Sequence, residues 1–443
     1  MTVIKPDTPV VIIGGGLAGL SSAAYLRRHG VPVRLFEASN KLAGLSRSEI
    51  DADGFTYDFG AHFITNRLAA AVGISAICRE VVRYGECVWL NGRSYAYPFG
   101  LMRKPEFLGS ALAAFAARIG QPPPVTALQW YRARFGRALA EQVAVPLSEA
   151  WSGVPTAELA ADVGNKITSI PRTVYLTGAK KLTGRTVAIG YSTTFPENPH
   201  VWHVYPEGGI GGVCEKIADE VRDCISMESP VESILVENNQ VRGVCVKGAL
   251  VPASAVVSTA PVHILAKLVQ GTERLAYLRH FKYRAMVFVN VKLLGRSGLP
   301  DVVTWTPEGT VPFFRLSDIG AGLPWLVPAS KSLVTCDIGC QIGDEIWKMG
   351  DNELGLRCVQ GLARLATGVE ARYLGCRVLR VPLAYPVFRA DYEDDRKNFE
   401  RDAGIAGLYS IGRNGEFRHL LMEDVYWRSR SKMLPIINAY QRA

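Results

Sequence analysis

The segment Gly14-Gly15-Gly16-Leu17-Ala18-Gly19 carries glycines at its first, third and sixth positions, and a carboxylate, Glu37, follows 18 positions beyond Gly19. That spacing suits a pyrophosphate. Gly14 permits a tight turn, Gly16 leaves room for phosphates to approach the backbone, and Gly19 lets a helix lie close to its strand. Leu17 and Ala18, at the start of that helix, present free N–H groups and the positive end of the helix dipole. Glu37, with Ala38 beside it, stands where a carboxylate accepts hydrogen bonds from ribose hydroxyls.

The elements needed to position these groups surround them. Val10 to Ile13 is a short apolar run, expected to be a buried parallel strand. From Leu17 to His29 the spacing is helical, with Leu20, Ala23, Ala24 and Leu26 on the apolar side, and Gly30 ends the helix. Val31 to Phe36 supplies a second strand ending at Glu37. Strand, helix, second strand and acid all fall in register, which identifies a βαβ dinucleotide-binding unit rather than an isolated glycine turn.

The 443 residues suggest about two or three domains. No stretch approaches the ~18 uninterrupted apolar residues of a membrane-spanning helix, and the opening lacks the basic start and apolar run of a secretory signal. A cytoplasmic location without a transmembrane segment is therefore expected. Nine scattered cysteines, an odd number without a Cys-x-x-Cys pair, point away from a disulfide framework and from a zinc site; no metal is expected. The net charge of +9 fits either surface solvation or attraction of an anionic cofactor and an anionic substrate. Basic residues are spread along the chain, with a mild cluster from Lys166 to Arg185, and do not form the aromatic-studded face of a nucleic-acid binder. The expected partner is a small-molecule substrate; the oligomeric state is left open.

A second glycine-bearing segment follows Glu37: Lys41-Leu42-Ala43-Gly44-Leu45-Ser46, then Tyr57-Asp58-Phe59-Gly60-Ala61-His62. Together with Tyr205-Pro206-Glu207-Gly208-Gly209, Ala255-Val256-Val257-Ser258-Thr259-Ala260 and Gly407-Leu408-Tyr409-Ser410-Ile411-Gly412-Arg413, it resembles the FAD-dependent family of amine oxidases, protoporphyrinogen oxidase, phytoene desaturases and UDP-galactopyranose mutase. Ala43 and Ala61 stand where that family has glycines. The resemblance spans the chain and implies FAD as cofactor. It adds Gly44, Leu45, Ser46, Gly60, Ala61, His62, Val231, Thr259, Ala260, Gly412, Arg413, Leu420 and Leu421 to the residues expected to bind it. The implied fold class is α/β, a Rossmann-like FAD/NAD(P)-binding domain with an inserted α+β substrate domain. FAD-binding segments are expected at roughly 1–70, 200–265 and 380–443, and a substrate-covering region at 70–200 and 266–380. Within the first insert, Gln129 to Val145 reads as a helix that Pro146 ends or kinks.

Two chemistries follow from the resemblance, with a purely structural or binding role as a third possibility. One is an amine oxidase-like or protoporphyrinogen oxidase-like oxidoreductase, in which hydride leaves a substrate C–H for flavin N5. The other is a redox-neutral reaction on a nucleotide sugar or other glycosyl substrate, as in UDP-galactopyranose mutase. Val311-Pro312-Phe313-Phe314-Arg315 resembles the mutase segment whose arginine faces a substrate diphosphate. The tail Gly412 to Glu423 resembles its closing motif, except that His419 replaces a diphosphate-gripping tyrosine and Leu421 an aspartate. Candidate catalytic residues are Arg413 at the flavin edge, Arg315 toward a substrate anion, His419 as base or donor, and His62 against the ring. At least one of Glu416, Arg418 and Glu423 is expected to face the pocket.

Overall fold

The computed structural model describes residues 7–60, 63–117, 120–166 and 168–443, without the side chains of residues 165 and 166. Strand β1 (Val10–Ile13), helix α1 (Leu17–Arg28) and strand β2 (Val33–Phe36) form the first βαβ unit. They belong to a five-stranded sheet, ordered Ile225–Ser226, β2, β1, Ala255–Ser258 and Leu408–Ser410, with every neighbouring pair parallel. All four residues of β1 are buried, and they alternate between two cores. Val10 and Ile12 pack with Leu20, Ala23 and Leu26 of α1, while Val11 and Ile13 pack with Val256, Val262 and Leu265 on the opposite face. Burial on both faces explains the unbroken apolar run of β1. Each such side chain withdrawn from water stabilises the fold by about 1.5–3 kcal/mol.

A seven-stranded sheet stands apart from the first. Its order is Tyr373–Pro386, Tyr283–Leu294, Lys331–Cys340, Arg315–Asp318, Val303–Trp305, Glu86–Leu90 and Arg93–Ala96. Only the Val303–Trp305 to Glu86–Leu90 pair is parallel. Its strands come from the two stretches between those of the parallel sheet, so the α/β fold with an inserted α+β region is the observed architecture. The hairpin Val231–Glu237 to Gln240–Val246 turns at Asn238 and Asn239, with φ of 52° and 57°, the left-handed pair that a two-residue hairpin requires.

One helix departs from expectation. Ala127–Leu139 does not end near Pro146; a wider five-residue turn, Ala140–Ala144, carries it into a further helix, Val145–Ser152. Pro146 lies in the first turn of that helix, where a missing N–H costs nothing. The break comes earlier, at Gly136 (φ 78°, ψ 164°), where a Cβ would lie 2.3 Å from the Ser110 backbone carbonyl. All nine cysteines are free.

Candidate functional site

The glycine turn closes as a set of mutual contacts. Gly14 adopts φ +101°, its N–H donates to the Phe36 carbonyl at 2.9 Å, and a Cβ there would lie 2.2 Å from Thr259 Oγ1. Thr259 donates to the Ile13 carbonyl through both its N–H and its hydroxyl, which moors the end of Ala255–Ser258 to the end of β1. A Cβ on Gly19 would lie 1.9 Å from the Gly14 carbonyl oxygen, so the close helix-to-strand approach rests on that glycine. Gly16 differs: a Cβ there meets nothing within 4 Å. It faces open space at the start of α1, whose N-terminus no side chain caps.

Glu37 organises the neighbouring turns. One carboxylate oxygen accepts from the Gly15 N–H at 2.6 Å, and the other accepts from the N–H and hydroxyl of Ser39, both at 2.8 Å. The Ala43 N–H donates to the Gly15 carbonyl, which lays the second glycine segment along the first. Ala43 itself is left-handed (φ 76°), the conformation for which the family has glycine. Further along, buried Asp58 accepts from the Ser48 and Tyr205 hydroxyls and from the Ile210 N–H. Burial pushes its carboxyl up, with those three donors acting the other way. Asp58 thereby ties the Tyr57-Asp58 segment to the turn that returns the chain to the parallel sheet.

These turns border a cleft that encloses about 250 Å³. Gly14, Gly16, Leu17, Ala18, Glu37, Gly44, Leu45, Ser46, Thr259, Gly412 and Arg413 all line it, from four separated parts of the chain. Gly412 (φ +81°) docks on the first turn of α1; a Cβ there would lie 2.8 Å from that of Ala18. Arg413 is half-buried at the cleft wall. Its Nε donates to the Leu420 carbonyl at 2.9 Å, and its guanidinium lies 5.5 Å from the Tyr385 ring centre. Burial and then nearby Arg315 hold its pKa below the ordinary arginine value, and it has no ion-pair partner among the described residues.

Ala43, Asn414, Met422 and Val425 line the cleft too and were not anticipated as site residues. The signal for the last two was helical spacing: Met422 opens the final helix, Met422–Tyr440, and Val425 follows three positions on. Ala38, Gly19, Gly60, Val231, Ala260, Leu420 and Leu421 lie off the cleft. Gly60 packs on Phe288, where a Cβ would lie 3.0 Å from the ring. Val231 opens its strand two residues after Ser229, whose N–H donates to the Glu37 carbonyl. The Ala260 N–H donates to the Ser258 hydroxyl, and Leu421 precedes the final helix as its N-cap. Ala61 and His62 lie outside the described residues.

Several expected pocket groups have structural partners instead. Arg315 is not free: its Nε donates to Asp337 Oδ2 at 2.8 Å, and its Nη2 contacts the same oxygen. Burial alone would lower its pKa, but Asp337, with Tyr385 and Glu86, raises it. His419 is half-buried beside the Phe388 ring and does not line the cleft. Nor does any of the three tail charges. Buried Glu416 pairs with Arg428 and Lys432, Glu423 with Arg67, and Arg418 with Glu400. Each finds an opposite charge on a neighbouring element, which removes the reason to face the pocket.

The family described as flavin containing amine oxidoreductase matches residues 17–413. The chain belongs to that family. It is similar to the carotenoid 3,4-desaturase of Haloarcula japonica, with 43% identity over 51 residues, 12% of this chain and 10% of the desaturase. It is also 43% identical over 56 residues to the mitochondrial protoporphyrinogen oxidase of Nicotiana tabacum, 13% of this chain and 11% of that enzyme. Those stretches are a small part of either relative. Among solved structures, reduced UDP-galactopyranose mutase superposes with a TM-score of 0.81 at 19% identity, covering 98% of this chain and 96% of the mutase chain. At that identity the likeness shows the fold. The cofactor of this flavoenzyme is FAD. The chain's own geometry suits it: an uncapped helix start, an open space at Gly16, and a carboxylate at the end of β2. No group of residues suited to a metal ion occurs among the described residues.

Proposed function

We propose that this flavoenzyme oxidises a small organic substrate and does not isomerise a nucleotide sugar. Bound FAD would supply a two-electron acceptor for a substrate C–H adjacent to nitrogen, oxygen or a conjugated system. Gly14 to Ala18 would hold its pyrophosphate, Glu37 its ribose, and Gly44 to Ser46 with Gly412 and Arg413 the remaining length. This assigns segments 1–70, 200–265 and 380–443 to cofactor binding and the two inserts to covering the substrate. Arg413 offers a half-buried cation without an acidic partner among the described residues, suited to negative charge that develops during electron transfer.

The observation that carries this choice is the Arg315–Asp337 pair. Arg315 is the arginine that the mutase resemblance directs at a diphosphate, yet buried Asp337 already neutralises it. His419, which the same resemblance puts at the diphosphate, does not line the cleft either. The test is stoichiometric: purified FAD-loaded protein is given candidate amines, porphyrinogens and nucleotide sugars, and acceptor reduction is compared with substrate lost. One acceptor reduced per two electrons removed is expected. Turnover that needs prior reduction of the flavin but shows no net redox change would overturn the proposal.

A further inference from the structure

The basic residues Arg172, Lys180, Lys181 and Arg185 do not line the cleft. Residues 163–196 contain no aspartate or glutamate but include Lys166, Arg172, Lys180, Lys181 and Arg185. Most of that stretch is the helix Ile170–Thr183 and the turn after it. Its inner stripe is Thr173, Leu176 and Lys180, at spacings of three and four; Thr173 and Leu176 are buried, and the Lys180 ammonium donates to the Tyr84 carbonyl. The outward face should then be polar. It is not. Val174 is 54% exposed, Tyr175 61% and Leu182 90%, with Ile170 exposed at the start.

The patch continues beyond the helix. Thr186 donates its hydroxyl to the Val81 carbonyl, and Lys180 binds the Tyr84 carbonyl, so the segment Val81 to Tyr84 runs beside the last turn. That sets Val82, 69% exposed, beside the helix end, with Arg83 next to it in the chain. Three acids approach this rim: Glu80 pairs with Arg185, Asp301 with Arg83, and Glu86, like Asp301, acts on Lys180 from the inner side.

We propose that this face, the outward side of Ile170–Thr183 with Val82, docks on an anionic lipid surface. An exposed apolar stripe with Lys181 and Arg172 beside it, on a helix that carries no acid, suits an interfacial helix: the apolar groups enter the headgroup boundary and these cations meet lipid charge. The chain lies on the surface and does not cross it, since no described helix is long and apolar enough to span a bilayer. A water-facing helix would expose polar groups here, and a protein partner would have to supply a strongly acidic, apolar face.

The test is flotation of the FAD-loaded full chain with vesicles of phosphatidylcholine containing phosphatidylglycerol, compared with phosphatidylcholine alone. Binding to the anionic vesicles that weakens with added salt is expected. Leu182→Glu, at a site where little packs, and Lys181→Glu should each lower partitioning by about tenfold, additional to any effect on fold. Flavin absorbance and urea midpoint should stay at wild-type values in both variants, which separates lost docking from lost folding. No flotation with either vesicle, flotation untouched by Leu182→Glu, or a concentration-dependent dimer abolished by that substitution would each overturn the proposal.

Discussion

Two glycines of one turn should fail in opposite ways. A Cβ on Gly19 strikes the Gly14 carbonyl, whereas one on Gly16 meets empty space, and Gly16 has an ordinary negative φ of −81°. Gly16→Ala should therefore leave the flavin-free protein within about 0.5 kcal/mol of wild type while weakening FAD binding by about tenfold or more. Gly19→Ala should destabilise the flavin-free fold itself by roughly 1–3 kcal/mol, as overpacking does. Urea unfolding of flavin-stripped protein and FAD titration read both quantities; equal losses of stability in the two variants would remove the case for a ligand at Gly16. Arg413 makes a different demand. If its guanidinium, which has no ion-pair partner among the described residues, faces charge gained on reduction, Arg413→Gln should shift the flavin midpoint potential by about 30 mV to the negative, the equivalent of about 1.4 kcal/mol for two electrons. An unchanged potential in a spectroelectrochemical titration would return Arg413 to a merely structural role.

The strand His203–Pro206 holds a titratable group that the site does not use. His203 is fully buried among Phe63, Tyr84 and Tyr191, at ring distances of 5.6, 4.8 and 4.4 Å. Burial, with Lys180 adding to it, lowers its pKa to about 3. The native state therefore refuses a proton that the unfolded chain, titrating near its ordinary value of about 6.5, accepts. Stability is full above that value and falls as pH drops from it toward 3, at a cost of about 2 kcal/mol by about pH 5. His203→Leu should remove that slope; urea midpoints at about pH 7.5 and about pH 5 that fall equally in variant and wild type would refute the assignment. Elements of this kind mark where the sequence was legible. The βα turn could be read because its glycines announce, locally, a tight turn and a close helix-to-strand approach. The partner of Arg315 could not: Asp337 lies 22 positions away on the adjoining strand, and only long-range register brings the two together. None of Glu416, Arg418 and Glu423 lines the cleft, for the same reason: their partners Arg428, Glu400 and Arg67 lie on other turns or elements. The run through Pro146 was missed because a wider turn placed the proline at a helix start, a choice that helical periodicity does not reveal.

At the scale of the whole molecule, the cleft is a joint. Its walls come from the β1–α1 turn, the Ala43–Ser46 turn, Thr259 and the Gly412–Val425 segment, which meet only through folding. A cofactor that touches all of them should stabilise them together, whereas one confined to the first turn should protect that turn alone. With free FAD at a hundredfold excess over its dissociation constant, the folded state gains about 2.7 kcal/mol, close to a hundredfold in the population of open forms. Hydrogen exchange of FAD-loaded and FAD-stripped protein measures where that gain falls. Amides of residues 14–19, 43–46, 259–260 and 412–425 should slow in concert when FAD is bound. Exchange within the long strands Tyr283–Leu294 and Lys331–Cys340 should depend less on FAD, because their bonds are satisfied inside the other sheet. Protection restricted to residues 14–19 would mean that the distant segments assemble the wall without gripping the ligand, and the assignment of Gly44, Thr259 and Gly412 to the cofactor would fall with it.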